Sequence, residues 1–123
     1  MRKIILVLAL SLFLNSLYSQ EKKVNSADDL LKETIYNANK RTVMNFTMKD
    51  FDALFFEFFQ KKANDSLILT KEEFYTYTIK IAIFSDRLEA LYPKEKERAA
   101  ESKKKWFAEN YEDYLVSKQN QKK

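Results

Sequence analysis

The 123-residue chain contains no Cys and no His, which excludes a disulfide framework and removes the commonest general base, metal ligand and sensor of mild acid. Its formal charge is +4, and if Arg2 and Lys3 leave with an export signal the 22 Lys and Arg fall to 20 against 18 Asp and Glu. These charges are interleaved along the chain, so a nucleic-acid partner is not expected.

The N-terminus reads as an export signal over residues 1–19. Arg2 and Lys3 form the positive start, Ile4 to Leu14 the apolar run, and Leu17-Tyr18-Ser19 the small-residue cut site before Gln20. The run is well short of the ~20 apolar residues of a spanning helix, so the expectation is cleavage rather than anchoring. The 104 residues left of 123 suffice for one hydrophobic core. They divide into a polar leader (20–25), a helical domain (26–117) and a polar tail (118–123) expected to fray. Gly is absent from the chain, where average usage is about 7%. Tight hairpins and bulged strands lean on Gly, whereas helices can end on Asn, so the expected fold class is all-α.

Ser26 followed by Asp29 predicts a helix start, and the first helix is expected over about 27–40 with an apolar stripe of Leu31, Ile35 and Ala38 beside Leu30. Thr47 with Asp50, and Phe46 with Phe51, predict a capped and stapled second helix to about Lys62. Phe51, Leu54, Phe55 and Phe58 share one of its faces. Phe56 and Phe59 widen that face to roughly 200°, too broad for a single neighbour.

Asn64-Asp65-Ser66 is a turn cluster. Thr70 and Glu73 then form a capping box, and Leu69 and Phe74 a staple, at the head of a third helix over about 71–91. Its main stripe is Phe74, Tyr77, Ile81, Phe84, Leu88 and Leu91, while Tyr75, Ile79 and Ile83, four residues apart, form a second. Tyr92-Pro93 separates it from a fourth helix expected over about 93–116, with Trp106, Phe107, Tyr111, Tyr114 and Leu115 in its packed half. The expected architecture is a small antiparallel bundle of three to four helices, the alternative being an elongated hairpin of the last two.

Several residues invite a functional assignment. Residues 69–74 resemble the exit half of an EF-hand loop, with Glu73 in the place of the bidentate ligand. Lys62 stands where the first ligand would be and Leu67 where the sharp turn wants Gly, so no calcium is expected and the capping box accounts for the same residues. Asp65-Ser66-Leu67 resembles the short acceptor motif for O-glycosylation of some exported bacterial proteins, which marks Ser66 as a modification candidate. Lys103, Lys104 and Lys105 beside Trp106 could meet an anionic membrane surface; the plainer account is a solvated charged turn leading into a core segment. The acidic pairs fall in first turns, where the helix dipole explains them, or, as Glu109, Glu112 and Asp113, on a face opposite the aromatics that is expected to meet water. No catalytic residue, metal ligand or cofactor is assigned, and the chain is expected not to be an enzyme.

The second stripe of the third helix carries more apolar surface than a small bundle easily covers. Tyr75, Ile79 and Ile83, with Phe56, Phe59 and Trp106, are therefore the candidate protein-partner or self-association interface, unless the first helix covers the stripe and makes it core. The alternative is a cavity for an apolar small molecule or lipid lined by Phe55, Phe58, Phe59, Tyr77 and Phe84. The expected function is that of a non-enzymatic helical accessory protein of the bacterial envelope, exported to the periplasm or beyond, acting by protein–protein interaction.

Overall fold

A computed structural model describes residues 26–121. The signal segment, the polar leader, the Ser26 side chain expected to cap the first helix, and the last two lysines lie outside the described residues. The chain divides into two compact units, Met1–Leu30 and Leu31–Lys123. Of the first, only 26–30 is described: it is the opening of helix α1 (Ser26–Val43), with Asp28 and Asp29 in an acidic first turn and Leu30 exposed.

Within the second unit α1 is followed by α2 (Met48–Ala63), α3 (Lys71–Leu91), a short 3-10 turn (Pro93–Glu95), α4 (Lys96–Phe107) and α5 (Tyr111–Gln121). All secondary structure among the described residues is helical. Both sequence-predicted capping boxes form. Thr47 accepts from the Asp50 amide at 3.1 Å while Asp50 accepts from the Thr47 amide at 3.0 Å. Thr70 and Glu73 make the same exchange at 3.1 and 2.8 Å. Each pair satisfies two amides that a helix start otherwise leaves bare, worth about 1 kcal/mol per cap.

Helix α3 is the centre of the unit. Phe51 of α2 stacks on Phe84 at 4.1 Å and Phe58 on Tyr77 at 5.2 Å, an inverse order that makes α2 and α3 antiparallel neighbours. On the other side Ser85 bonds Ser102 at 3.1 Å and Asp86 meets Lys103 at 3.1 Å, along the most extensive helix pair of the fold, α3 with α4. Phe74, Tyr75, Ile79, Ile81, Ile83 and Phe84 are essentially solvent-free. At ~25 cal/mol per Å² each contributes on the order of 2 kcal/mol.

Helix α1 keeps only part of its predicted stripe. Ile35 is buried and Leu31 half-buried against the core as expected, but Ala38 and Leu30 are exposed, while Asp28, Lys32 and Val43 are buried and Tyr36 and Asn39 half-buried. The reason is polar chemistry that hydrophobic periodicity does not register. The Lys32 ammonium donates to the Phe107 carbonyl at 2.8 Å and lies 5.0 Å from the centre of the Tyr75 ring. The Tyr36 hydroxyl donates to Asp86 at 2.6 Å. Both tie α1 down more specifically than Ala38 can.

The single fourth helix expected over 93–116 is two helices after a 3-10 turn. The chain leaves helical register at Ala108, and the Asn110 side chain then accepts from the amides of Glu112 at 2.8 Å and Asp113 at 3.3 Å, starting α5 as an N-cap. The Tyr75 hydroxyl accepts the Tyr111 amide at 3.0 Å. The break lets α5 turn back onto the loop between α2 and α3, where Tyr114 accepts from the Leu69 amide at 2.8 Å and Tyr111 donates to the Leu69 carbonyl at 2.7 Å.

The polar tail expected to fray is helical as far as Gln121. Lys118 is only 2% exposed, and its ammonium donates to the carbonyls of Asn64 at 2.6 Å and Lys61 at 3.2 Å. A cation on the carbonyls at the end of α2 is favoured by the helix dipole, which is why a lysine is buried there.

Candidate functional site

The structure separates the residues that the sequence groups as one interface. Tyr75, Ile79 and Ile83 have no exposed surface; the second stripe of α3 is core. Tyr75 is enclosed by Lys32, by Phe74 at 5.5 Å and by Tyr111 at 6.4 Å. These three residues present nothing to a partner.

Phe56 and Phe59 remain outside, at 65% and 42% exposure, and Met48, one residue into α2, joins them at 48%. The inward face of the same helix is fixed by Phe51, Leu54, Phe55 and Phe58, which pack towards α3 and α4. Behind the exposed pair stands an aromatic cluster: Phe55 lies 4.6 Å from Phe59, and Trp106 of α4 meets Phe55 edge-on at 5.8 Å and Phe58 at 6.2 Å. Trp106 is half-buried, so it supports the patch more than it extends it. The Lys62 ammonium sits 5.1 Å from the Phe58 ring centre and 5.4 Å from that of Phe59, a cation on the rim of the patch.

The five residues expected to line an apolar cavity differ in their surroundings. Phe58 and Phe84 are buried in ring-on-ring contacts, and Phe59 opens to solvent. Tyr77 borders an open groove of about 350 Å³ between α2 and α3 whose other walls include Leu54, Glu57, Lys61, Glu72, Thr76 and Lys80. There the Tyr77 hydroxyl donates to Glu57 at 2.8 Å, and Lys61 pairs with the same carboxylate at 3.3 Å. The hydrogen bond from Tyr77 and the neighbouring Lys61 hold Glu57 below the usual carboxylate range. Partial burial raises the Tyr77 phenol above its ordinary value. Each charged group in this triad already has a partner on the next helix or the next turn, which is the pattern of a surface tie between α2 and α3 rather than of a poised base.

Among the three lysines beside Trp106, Lys103 is drawn inward: it pairs with Asp86 at 3.1 Å and donates to the Tyr36 hydroxyl at 3.2 Å. Burial lowers its affinity for a proton, but those two partners outweigh burial and leave the ammonium above its ordinary value. Lys104 and Lys105 stay exposed. Ser66 is exposed in the α2–α3 loop, where its amide donates to the Asn64 side chain at 2.9 Å. Glu73, the residue in the ligand place of the EF-hand resemblance, spends one carboxylate oxygen on the Thr70 amide, and that bond holds it below the usual carboxylate range.

Sequence reasoning missed three features. Asn110 had a signal, an Asx residue followed by Glu112 and Asp113 in a first turn. Met48 had one too, its spacing to Phe55 and Phe59. The burial of Lys32 and Lys118 had none, because a lysine on a helix reads as solvated until its carbonyl acceptors are in place.

Among the described residues no helix is long and apolar enough to cross a membrane, and no group of three or more His, Cys, Asp or Glu side chains is placed to hold a metal ion. No protein-family model matches the chain, and neither the curated proteins nor the solved structures contain a match.

Proposed function

We propose that this is an exported, non-enzymatic accessory protein of the bacterial envelope that binds protein through the outer face of α2, its signal segment (residues 1–19) being removed on export. The observation that carries this function is the exposure of Phe56 and Phe59 in a helix whose other Phe residues are packed inward. Exposed aromatic clusters backed by a rigid core are the usual anchors of protein interfaces. The rigid backing here is Trp106 with Phe55 and Phe58, so docking would not require the patch to be ordered first. A cavity for an apolar molecule is the weaker alternative, because Phe58 and Phe84 fill with each other's neighbours the space such a ligand would need.

The test places a photoreactive phenylalanine analogue at position 56 in the producing cell, with the same analogue at the exposed Val116 as control. A protein adduct at 56 and none at 116 is the expected result. Illumination that yields no protein adduct at 56 removes the α2 face as a protein-binding surface.

A further inference from the structure

We infer that Ser66, at the tip of the α2–α3 turn, is the acceptor of an O-linked sugar, with Asp65 beside it as the charge that the transferase reads. The inference rests on the export proposed above and adds a modification to it. The Asp65-Ser66-Leu67 match is short, and the structure supplies the selection among hydroxyls that the match lacks.

Among the described residues three Ser or Thr residues lie outside helices, Thr47, Ser66 and Thr70. Thr47 and Thr70 are helix caps: each hydroxyl accepts an amide, from Asp50 and from Glu73, at 3.1 Å. A sugar on either would displace a cap. The helical hydroxyls sit on backbone already bonded into its helix, and Thr78 and Ser85 among them are buried. Ser66 is exposed. Its amide is held by the Asn64 side chain at 2.9 Å, and its hydroxyl makes no hydrogen bond among the described residues.

The turn presents this hydroxyl without depending on it. The Leu67 amide donates to the Asn64 carbonyl at 3.1 Å, which puts Asp65 and Ser66 at the two central positions of a β-turn. Asp65 is exposed as well. The turn is pinned at both ends: the Lys118 ammonium donates to the Asn64 carbonyl at 2.6 Å, and Tyr114 and Tyr111 hold the Leu69 amide and carbonyl at 2.8 and 2.7 Å. A sugar on Ser66 Oγ breaks none of these bonds and projects into solvent.

Asn64-Asp65-Ser66 also matches the asparagine-linked acceptor pattern. Asn64 is the less available residue of the two. Its amide donates to the carbonyls of Gln60 and Lys61, its carbonyl accepts from Leu67 and Lys118, and its side-chain oxygen accepts from Ser66. In the other match, Asn45-Phe46-Thr47, the Asn45 side-chain nitrogen donates to the Arg41 carbonyl at 3.0 Å and Thr47 is a cap.

The transfer needs one co-reactant, a sugar linked through phosphate to a lipid or nucleotide carrier. Ser66 Oγ bonds the anomeric carbon, and the bond from that carbon to the phosphate oxygen breaks, its electron pair leaving with the phosphate. The hydroxyl proton passes to a base of the transferase.

Intact-mass spectrometry of the chain as purified from the producing cell, followed by peptide fragmentation, tests the inference. Expected is a mass excess of one or more sugar residues, located on Ser66, lost in Ser66→Ala and kept in Ser66→Thr. Asp65→Ala is expected to lower the modified fraction at least about fivefold, the effect of losing one charge-assisted contact to the transferase. All three variants should keep the helical circular-dichroism spectrum, since neither side chain packs in the core. No mass excess, an excess that survives Ser66→Ala, one carried on Asn64, or one undiminished in Asp65→Ala overturns the inference. The export reading fails separately, on retention of residues 1–19, whereas a chain cut after Ser19 and bare at Ser66 removes this inference alone.

Discussion

Two stripes of this chain look alike on paper and end in opposite environments. Tyr75, Ile79 and Ile83 recur every four residues on α3, and Phe56 and Phe59 extend an aromatic face on α2, yet the first three have no exposed surface and the last two are 65% and 42% exposed. The difference is position in the fold. Helix α3 has α2 on one side and α4 on the other, with Lys32 of α1 and Tyr111 of α5 closing over Tyr75. Helix α2 is flanked by α3, by Trp106 of α4 and, at its end, by Lys118 of α5, while Phe56 and Phe59 on its outer side stay exposed. A wide apolar face therefore signals either many neighbours or an unfilled place for one, and only the neighbour count separates them.

The contrast can be broken by shrinking each stripe in turn. Phe58→Ala on the inner side of α2 is expected to cost about 3–5 kcal/mol in denaturant unfolding, the usual cost of removing a fully buried ring. Ile83→Ala on α3 should cost about 2–5 kcal/mol by the same measurement. Phe56→Ser on the outer side should stay within about 0.5 kcal/mol. Equal losses at positions 56 and 83 would mean that the two stripes are equally packed, and the comparison would collapse.

The next largest effect is expected at the α5 clamp. Lys118→Ala leaves the carbonyls of Lys61 and Asn64 without their cation and should destabilise the fold by about 1–3 kcal/mol. Hydrogen exchange should quicken first in the α2–α3 loop, where Leu69 is held by Tyr111 and Tyr114. Tyr75→Phe, which removes the acceptor of the Tyr111 amide at 3.0 Å, should cost about 1 kcal/mol and quicken exchange at Tyr111.

The smallest effect is a pH dependence at the α1–α3–α4 tie. Burial, and then its hydrogen bond to Asp86, raise the Tyr36 phenol above its ordinary value of 10.0; its partners Tyr36 and Asp86 raise Lys103 above 10.5 despite burial. A group that holds its proton more tightly when folded contributes stability in full below the unfolded value and loses it as pH rises through the folded one. Both groups therefore predict a stability plateau near neutrality and a decline above about pH 10, with partial solvent exposure keeping the change small. Tyr36→Phe should flatten the decline in melting temperature between pH 9 and pH 11; an unchanged slope would place the alkaline loss elsewhere.

Much of the fold was legible in advance because it rests on local chemistry. The absence of Gly, the two capping boxes at Thr47 and Thr70, and Pro93 after Tyr92 act within a few residues, so the all-helical class and the starts of α2 and α3 followed from the sequence. The inner face of α2 followed as well, since Phe51, Leu54, Phe55 and Phe58 match one helical period. The break at Ala108–Asn110 was partly legible, in Asn110 with its acidic first turn, but the aromatic run from Trp106 to Leu115 masked it.

What the sequence by itself determined is therefore the helical class, the caps and the packed faces of its most strongly periodic helices, all of which depend on spacing within one helix. Only the tertiary structure decided that the second stripe of α3 is core, that Phe56 and Phe59 stay outside, and that Lys32 and Lys118 are buried. Those outcomes depend on which distant groups arrive, such as the Phe107 carbonyl over Lys32 and the Asn64 carbonyl over Lys118. The energy of burying a side chain is set by its neighbours in space, and spacing along one helix says which way a residue points but not what meets it there.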